Sequence, residues 1–153
     1  MKRSTIAKTL TMAAVTALAL GTATTAKAQG PQCSNASLQG TFSQKGTGVI
    51  TAPPDMAGPL ANVGTLTFDG NGGVTGYLVN SVNGTTLPTT ETGTYKVNSD
   101  CTGTYSVQLA PLGITTNAYF VIGDSLNEIQ IISTDPGGVI TCVARKMFPP
   151  RSY

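Results

Sequence analysis

Between residues 37 and 145 the chain repeats one pattern: apolar side chains alternate with Thr, Ser or Asn over short runs, and Gly, Asn, Asp or Pro breaks each run at fairly even spacing. A period of two belongs to a strand with one buried and one solvated face. An amphipathic helix repeats every ~3.6 residues, and no stretch of this region sustains that period. The composition, poor in charge and rich in Gly, Thr and Val, fits strands joined by tight turns. The region is expected to be all-β.

Reading between the breaks gives about eight strands, at 37–49, 62–68, 74–82, 89–97, 103–109, 117–122, 128–133 and 139–145. Short links join each run to the next, so the topology expected is an antiparallel meander. A meander leaves two raw edges unless its first strand pairs with its last. Closure into an eight-stranded up-and-down barrel removes them and is preferred over the alternative, a two-sheet β-sandwich. Residues 29–153 suit a single such domain with one core.

Alternation also assigns faces. Leu38, Gly40, Phe42, Leu66, Phe68, Val74, Gly76 and Leu78 share one parity with Tyr95, Val97, Tyr105, Val107, Leu109, Ile129, Ile131, Ile140, Cys142 and Ala144, and these are expected to line the interior. Thr41, Ser43, Lys45, Thr65, Thr67, Thr94, Lys96, Thr104, Ser106 and Gln108 fall on the opposite, solvated face. The run Ala118-Tyr119-Phe120-Val121-Ile122 is apolar at both parities, so its register is open. An eight-stranded interior is just wide enough to be filled by side chains or to hold one small ligand, and the sequence does not choose between them.

The stretch TFDGNGGVTG at 67–76 has the Asp, Asn and Gly content of a calcium loop and of a β-hairpin. An EF-hand loop opening at Asp69 needs Gly and Glu where Val74 and Asn80 stand. Flanked by two alternating runs, the segment reads as a hairpin turn, and no metal site is expected. Asn83-Gly84 and Asp135-Pro136-Gly137-Gly138 read as turns on the same grounds.

Residues 1–28 have the form of a secretory signal peptide: basic Lys2, Arg3 and Lys8, an apolar run at 10–20, and the small-x-small site Ala26-Lys27-Ala28. The run is shorter than the ~20 residues of a membrane-spanning helix. The remaining chain is expected to be secreted or periplasmic, without a membrane span. Four of the nine basic residues would leave with the signal while all seven acids stay, giving five against seven and a net charge of −2. The remaining basic residues are scattered, which excludes the clustered basic footprint of a nucleic-acid binder.

Three cysteines in an exported chain allow one disulfide in three pairings. The meander puts Cys33 and Cys101 at the same end of the barrel, which favours that pair, while Cys142 falls mid-strand as a small apolar side chain. The chain has no histidine, which removes Ser-His-Asp chemistry, His metal sites and imidazole proton transfer. Catalysis is therefore not the expected role, and no cofactor is implied.

Glu91 is the one acid with inward parity, near the barrel end opposite the cysteine pair. At the rim in water is the plainer place for an unpaired charge. Held in an apolar interior it would have a raised pKa and could anchor a ligand. Residues 50–60, ITAPPDMAGPL, form the longest link and lie at the same end, either as a lid or as a plain surface loop. Phe148-Pro149-Pro150 is expected outside the barrel.

The segment CSNASLQGTF at 33–42, with Gly40-Thr41-Phe42, resembles the first strand of calycin barrels, the lipocalins and avidins. Thr134-Asp135 with Arg145 is similar in kind to the lipocalin turn and to the Arg that closes that barrel over its first-strand aromatic, although the turn comes one hairpin later here. The stretch from Cys33 to Lys146 also resembles small secreted bacterial proteins of unassigned function. The resemblance implies a calycin-like barrel; avidin pockets use Trp, which this chain lacks, so biotin is not implied. Two function classes follow. One is a carrier for a small apolar or amphipathic molecule, with Phe42, Tyr95 and Tyr105 as walls and Glu91 as anchor. The other is a structural or interaction protein of the cell envelope with a solid core.

Overall fold

A computed structural model describes residues 32–148. The segment read as a signal peptide and the Pro149-Pro150 end of the tail lie outside them. Eight antiparallel strands run in sequence order: β1 (Gly40–Ile50), β2 (Gly58–Phe68), β3 (Gly73–Val82), β4 (Thr85–Val97), β5 (Thr102–Ala110), β6 (Ile114–Gly123), β7 (Glu128–Ser133) and β8 (Gly138–Lys146). Each pairs with the next, and β1 pairs with β8 from Phe42↔Lys146 to Ile50↔Gly138. The sheet is a closed up-and-down barrel, which sets the β-sandwich aside.

Boundaries shift for local reasons. Residues 37 and 38 belong to a 3-10 turn, Asn35–Leu38, and not to the first strand. At the β3–β4 hairpin only Asn83 and Gly84 intervene, with φ of 47° and 83°. Two consecutive positive φ values make the tight turn whose twist matches that of strands. Both strands therefore run up to it, and β4 starts at Thr85, four residues earlier than read. Pro88 is tolerated inside β4 because pairing with β5 begins only at Thr90, which leaves that edge free at its height. Similarly, β2 begins at Gly58 and shortens the long link to residues 51–57.

At TFDGNGGVTG the chain makes the hairpin between β2 and β3. Asp69 Oδ1 accepts hydrogen bonds from the backbone N–H of Asn71 at 2.7 Å, and of Gly72 and Gly73 at 2.9 Å each. These donors, Asn71 foremost, hold its carboxyl below the usual range. On β6 the open register resolves with Ala118, Phe120 and Ile122 inside and Tyr119 and Val121 outside.

The interior divides into two halves. Toward the end carrying the 69–72 and 98–101 turns it is solid: Leu38, Phe42, Leu66, Phe68, Val107, Phe120, Ile129 and Ala144 are buried. Phe42 meets Phe68 edge-on at 5.5 Å, and Phe68 meets Tyr95 edge-on at 5.0 Å. Each such pair adds about 0.5–1.5 kcal/mol beyond area burial. The 3-10 turn lies across this end. Tyr95 Oη donates to Asn35 O at 2.9 Å, and the Val97 N–H donates to Asn35 Oδ1 at 2.8 Å. The disulfide Cys33–Cys101, with Cα atoms 4.9 Å apart, ties the same turn to the β4–β5 link.

Arg145 does not close the barrel over the first-strand aromatic. It faces out, 74% exposed, and pairs with Glu128 at 2.8 Å. The neighbouring Lys146 takes that place, its Nζ 5.6 Å from the Phe42 ring centroid, because even positions of β8 face inward. Asp135 of the β7–β8 turn instead accepts from the Asn117 backbone N–H at 2.7 Å and from Asn117 Nδ2 at 2.8 Å.

Replacing both Cys33 and Cys101 by Ser should cost on the order of 4 kcal/mol in the chain-entropy account for a separation of 68 residues. Asn35→Ala, which strands the buried Val97 N–H, should cost about 1–3 kcal/mol. Urea unfolding of the three proteins measures both losses.

Candidate functional site

The other half of the interior, toward the 83–84, 111–113 and 134–137 turns, is hollow. It holds a cavity of about 100 Å³. The strand alternation that delivers Phe42, Leu66 and Leu78 to the inside continues along the same strands to Gln44, Asn62 and Asn80. On β4 it delivers Thr89 and Glu91, and on β8 Cys142. A ring of polar side chains thus stands on apolar walls supplied by Leu60, Leu78, Leu109, Ile131 and Ile140.

Glu91 sits at mid-height and is only 5% exposed. The early start of β4 explains this, since six residues of the strand precede it and six follow. It is not a rim residue in water. Across the sheet it faces Gly76 on one side and Leu109 on the other. A methyl on Gly76 would lie 3.4 Å from Glu91 Oε2 and 2.7 Å from Leu66 Cδ2, so the missing side chain leaves the carboxyl its space. Glu91 Oε2 has no hydrogen-bond partner, and neither has Gln44 Oε1 or Asn62 Oδ1. Lys45, Lys96 and Arg145 are exposed on the outer wall, and Lys146 lies at the packed end, so no described cation neutralises the carboxylate.

Burial alone pushes the Glu91 carboxyl up to about 7. Burial, reinforced by Glu91, drives the Tyr105 phenol far above its ordinary range. The Cys142 thiol rises to about 11 by burial first and by Glu91 second, against a smaller lowering from a hydrogen bond with Asn62. Tyr105 and Cys142 therefore stay protonated at neutral pH, and Glu91 alone changes charge there. A protonated thiol is a poor nucleophile.

Of the four residues read as ligand contacts, Glu91 and Tyr105 line the cavity. Phe42 and Tyr95 do not: both belong to the packed half, Tyr95 spending its hydroxyl on Asn35. Gln44, Asn62, Asn80 and Thr89 went unread because hydropathy was used to mark the inner face. Parity marks all four. Asn80 Nδ2 is committed to Leu87 O at 3.1 Å and Thr89 Oγ1 at 3.0 Å. Residues 51–57 contribute no cavity wall and are bonded to the β7–β8 turn through the Thr51 and Ala52 N–H groups on Gly137 O, at 2.8 and 3.1 Å.

Neither a family model nor a curated relative matches the chain in sequence. Solved structures do match in fold. Two redesigned β-barrels, mFAP0 and mFAP1, each bound to DFHBI, superpose with TM-scores of 0.53 and 0.55 at 17% and 18% identity. They cover 72% and 73% of this chain and 99% and 97% of their own. Another redesigned β-barrel matches with a TM-score of 0.55 at 14% identity, over 74% of this chain and 95% of its own. At these identities the likeness is one of fold. The disulfide is of the kind that persists in oxidising compartments, and no helix of the described residues is long and apolar enough to cross a membrane.

The sign of the Glu91 effect on stability follows from its raised value. The folded state holds the proton more tightly than the unfolded chain, so the contribution is full below the unfolded pKa of 4.5 and is lost as pH rises through about 7. Relative to Glu91→Gln, the wild-type protein should lose about 3 kcal/mol across that window, measured by urea unfolding at a series of pH values.

Proposed function

We propose that this protein is an exported binding barrel that takes one compact amphipathic molecule into its hollow half. The carrying observation is the cavity of about 100 Å³ whose polar ring holds three buried oxygens without partners. Buried polar groups in folded proteins are nearly always bonded, and leaving one unpaired costs about 1–3 kcal/mol. A ligand that bonds to this ring removes that cost. The volume is below the ~300–1,000 Å³ of pockets for drug-sized molecules, so the ligand has few heavy atoms. A purely apolar molecule would leave the ring unsatisfied.

Export rests on the signal-like residues 1–28 together with the disulfide, and a calycin-like grouping on the first-strand Gly40-Thr41-Phe42 and the closed eight-stranded sheet. That mFAP0 and mFAP1, barrels of this fold, are bound to DFHBI supports a small-molecule ligand. A binding role is preferred to an enzymatic one because the cavity offers one titrating group and no activated nucleophile.

A second reading places function on the outer wall, where Tyr119, Val121 and Ile132 stand exposed on adjacent strands. It is the interaction-protein alternative, and a second copy of the chain is the occupant it is tested with.

Native mass spectrometry of protein purified from its own host should detect a retained small molecule. Ala118→Leu, which adds three carbons to the cavity wall, should abolish retention while the barrel stays folded. A folded wild type that carries no molecule, or a filled variant that retains it, refutes the interior reading. A mass doubling that Ile132→Lys removes supports the outer-wall reading.

A further inference from the structure

We infer that the cavity selects a small organic cation, a primary ammonium or amidinium head on a short apolar remainder, with Glu91 as counter-ion and Gln44 and Asn62 accepting its N–H groups. The inference rests on the binding role proposed above and names the ligand class.

Three buried acceptors of the cavity stand without donors. Glu91 Oε2, Gln44 Oε1 and Asn62 Oδ1 lack partners, and the Asn80 Nδ2 amide is spent on Leu87 and Thr89. A ligand that satisfies these three brings donors, and an ammonium brings three with no acceptor. Charge points the same way. A carboxylate in so buried a site needs a counter-charge, and the protein places none in this half of the interior. The titratable groups that face Glu91 are Tyr105 from β5 and Cys142 from β8, both neutral at pH 7; the other strands contribute only uncharged side chains to the wall. An anionic or acceptor-rich ligand would meet unpaired oxygens.

A bare metal ion is a poorer fit. Ca²⁺ takes about 6–8 oxygen ligands, usually with several carboxylates, and no cluster of three or more His, Cys, Asp or Glu side chains exists among the described residues. Leu78, Leu109 and Ile131 offer the rest of the ligand an apolar surface. The volume limits that remainder to a few carbons.

The experiment compares n-propylammonium chloride with 1-propanol and sodium propionate, at matched ionic strength, by calorimetry and thermal shift on the full chain. The ammonium should bind at least about tenfold more tightly than the alcohol, and propionate should not bind. Only the ionised carboxylate pairs with the ammonium, so affinity should rise about tenfold per pH unit below the Glu91 pKa and level off above about 7. Glu91→Gln should remove both the preference and the pH dependence; if that variant fails to fold, the wild-type pH profile decides alone. Equal binding of ammonium and alcohol, or ammonium affinity that is flat with pH, overturns the inference. Alcohol binding that Ala118→Leu abolishes would in that case leave the cavity reading standing, whereas no binding of any solute removes both.

Discussion

The pairing of β1 with β8 is the constraint on which the rest of the molecule depends. Once Phe42 stands opposite Lys146 and Ile50 opposite Gly138, every strand has a neighbour on both sides, and the two faces of the sheet become an inside and an outside. Register is then locked around the whole ring. A slip of one residue on β1 would exchange Gln44 and Gly46 for Ser43 and Lys45 on the inner wall, burying an ammonium on a stretch of wall that now carries none. The seam is reinforced from outside by Arg145 on Glu128 and from within by Lys146 over Phe42.

Closure creates one interior, but the side chains use its two halves differently. The end crossed by the Asn35–Leu38 turn supplies stability through three edge-on aromatic rings, a buried aliphatic set and the disulfide. The end that holds Glu91 is a liability by the same measure, with a carboxyl raised to about 7 and three unpaired oxygens. A domain of this size has a net stability of only about 5–15 kcal/mol, so a cost of several kcal/mol in one half must be offset in the other. The concentration of Phe42, Phe68, Tyr95 and the cystine at one end is the form that offset takes.

Most of the fold was legible in the sequence because a period of two, tight turn residues and the liability of edges all point to a closed meander. The inner positions Leu66, Val107 and Ile129 are buried as their parity requires, and Cys33 pairs with Cys101 as their common end requires. Two things were hidden. The two-residue turn at Asn83-Gly84 lengthens β4 and moves Glu91 from the rim to mid-barrel; residues 85–88 carry Pro and no strong apolar alternation, so hydropathy ended the strand too late. The polar ring was hidden by the same habit. Gln44 continues the parity of Phe42, Asn62 that of Leu66, and Asn80 that of Leu78, but an inner wall that turns polar no longer looks like an inner wall. The aromatic residues were the opposite case: Phe42 and Tyr95 face inward as read, yet they fill space where a pocket wall would need to leave it.

The eight-stranded fold shared with the redesigned barrels sets the cylinder's width but not what it contains, because every inner position is an independent choice of side chain. In this chain the choice of glycine shapes the hollow. Gly46 faces Cys142, and a methyl there would lie 2.8 Å from Asn62 Oδ1; Gly76 faces Glu91, where a methyl would lie 2.7 Å from Leu66 Cδ2. At both positions neighbouring atoms already fill the space a side chain would take, so glycine lets the polar ring stand close against the sheet. A solid core would favour filling the cavity itself, since packing to full density is the cheaper state of an interior. Three buried oxygens without partners beside a small cavity are a loss of stability that makes physical sense where another molecule completes the packing and the hydrogen bonds together.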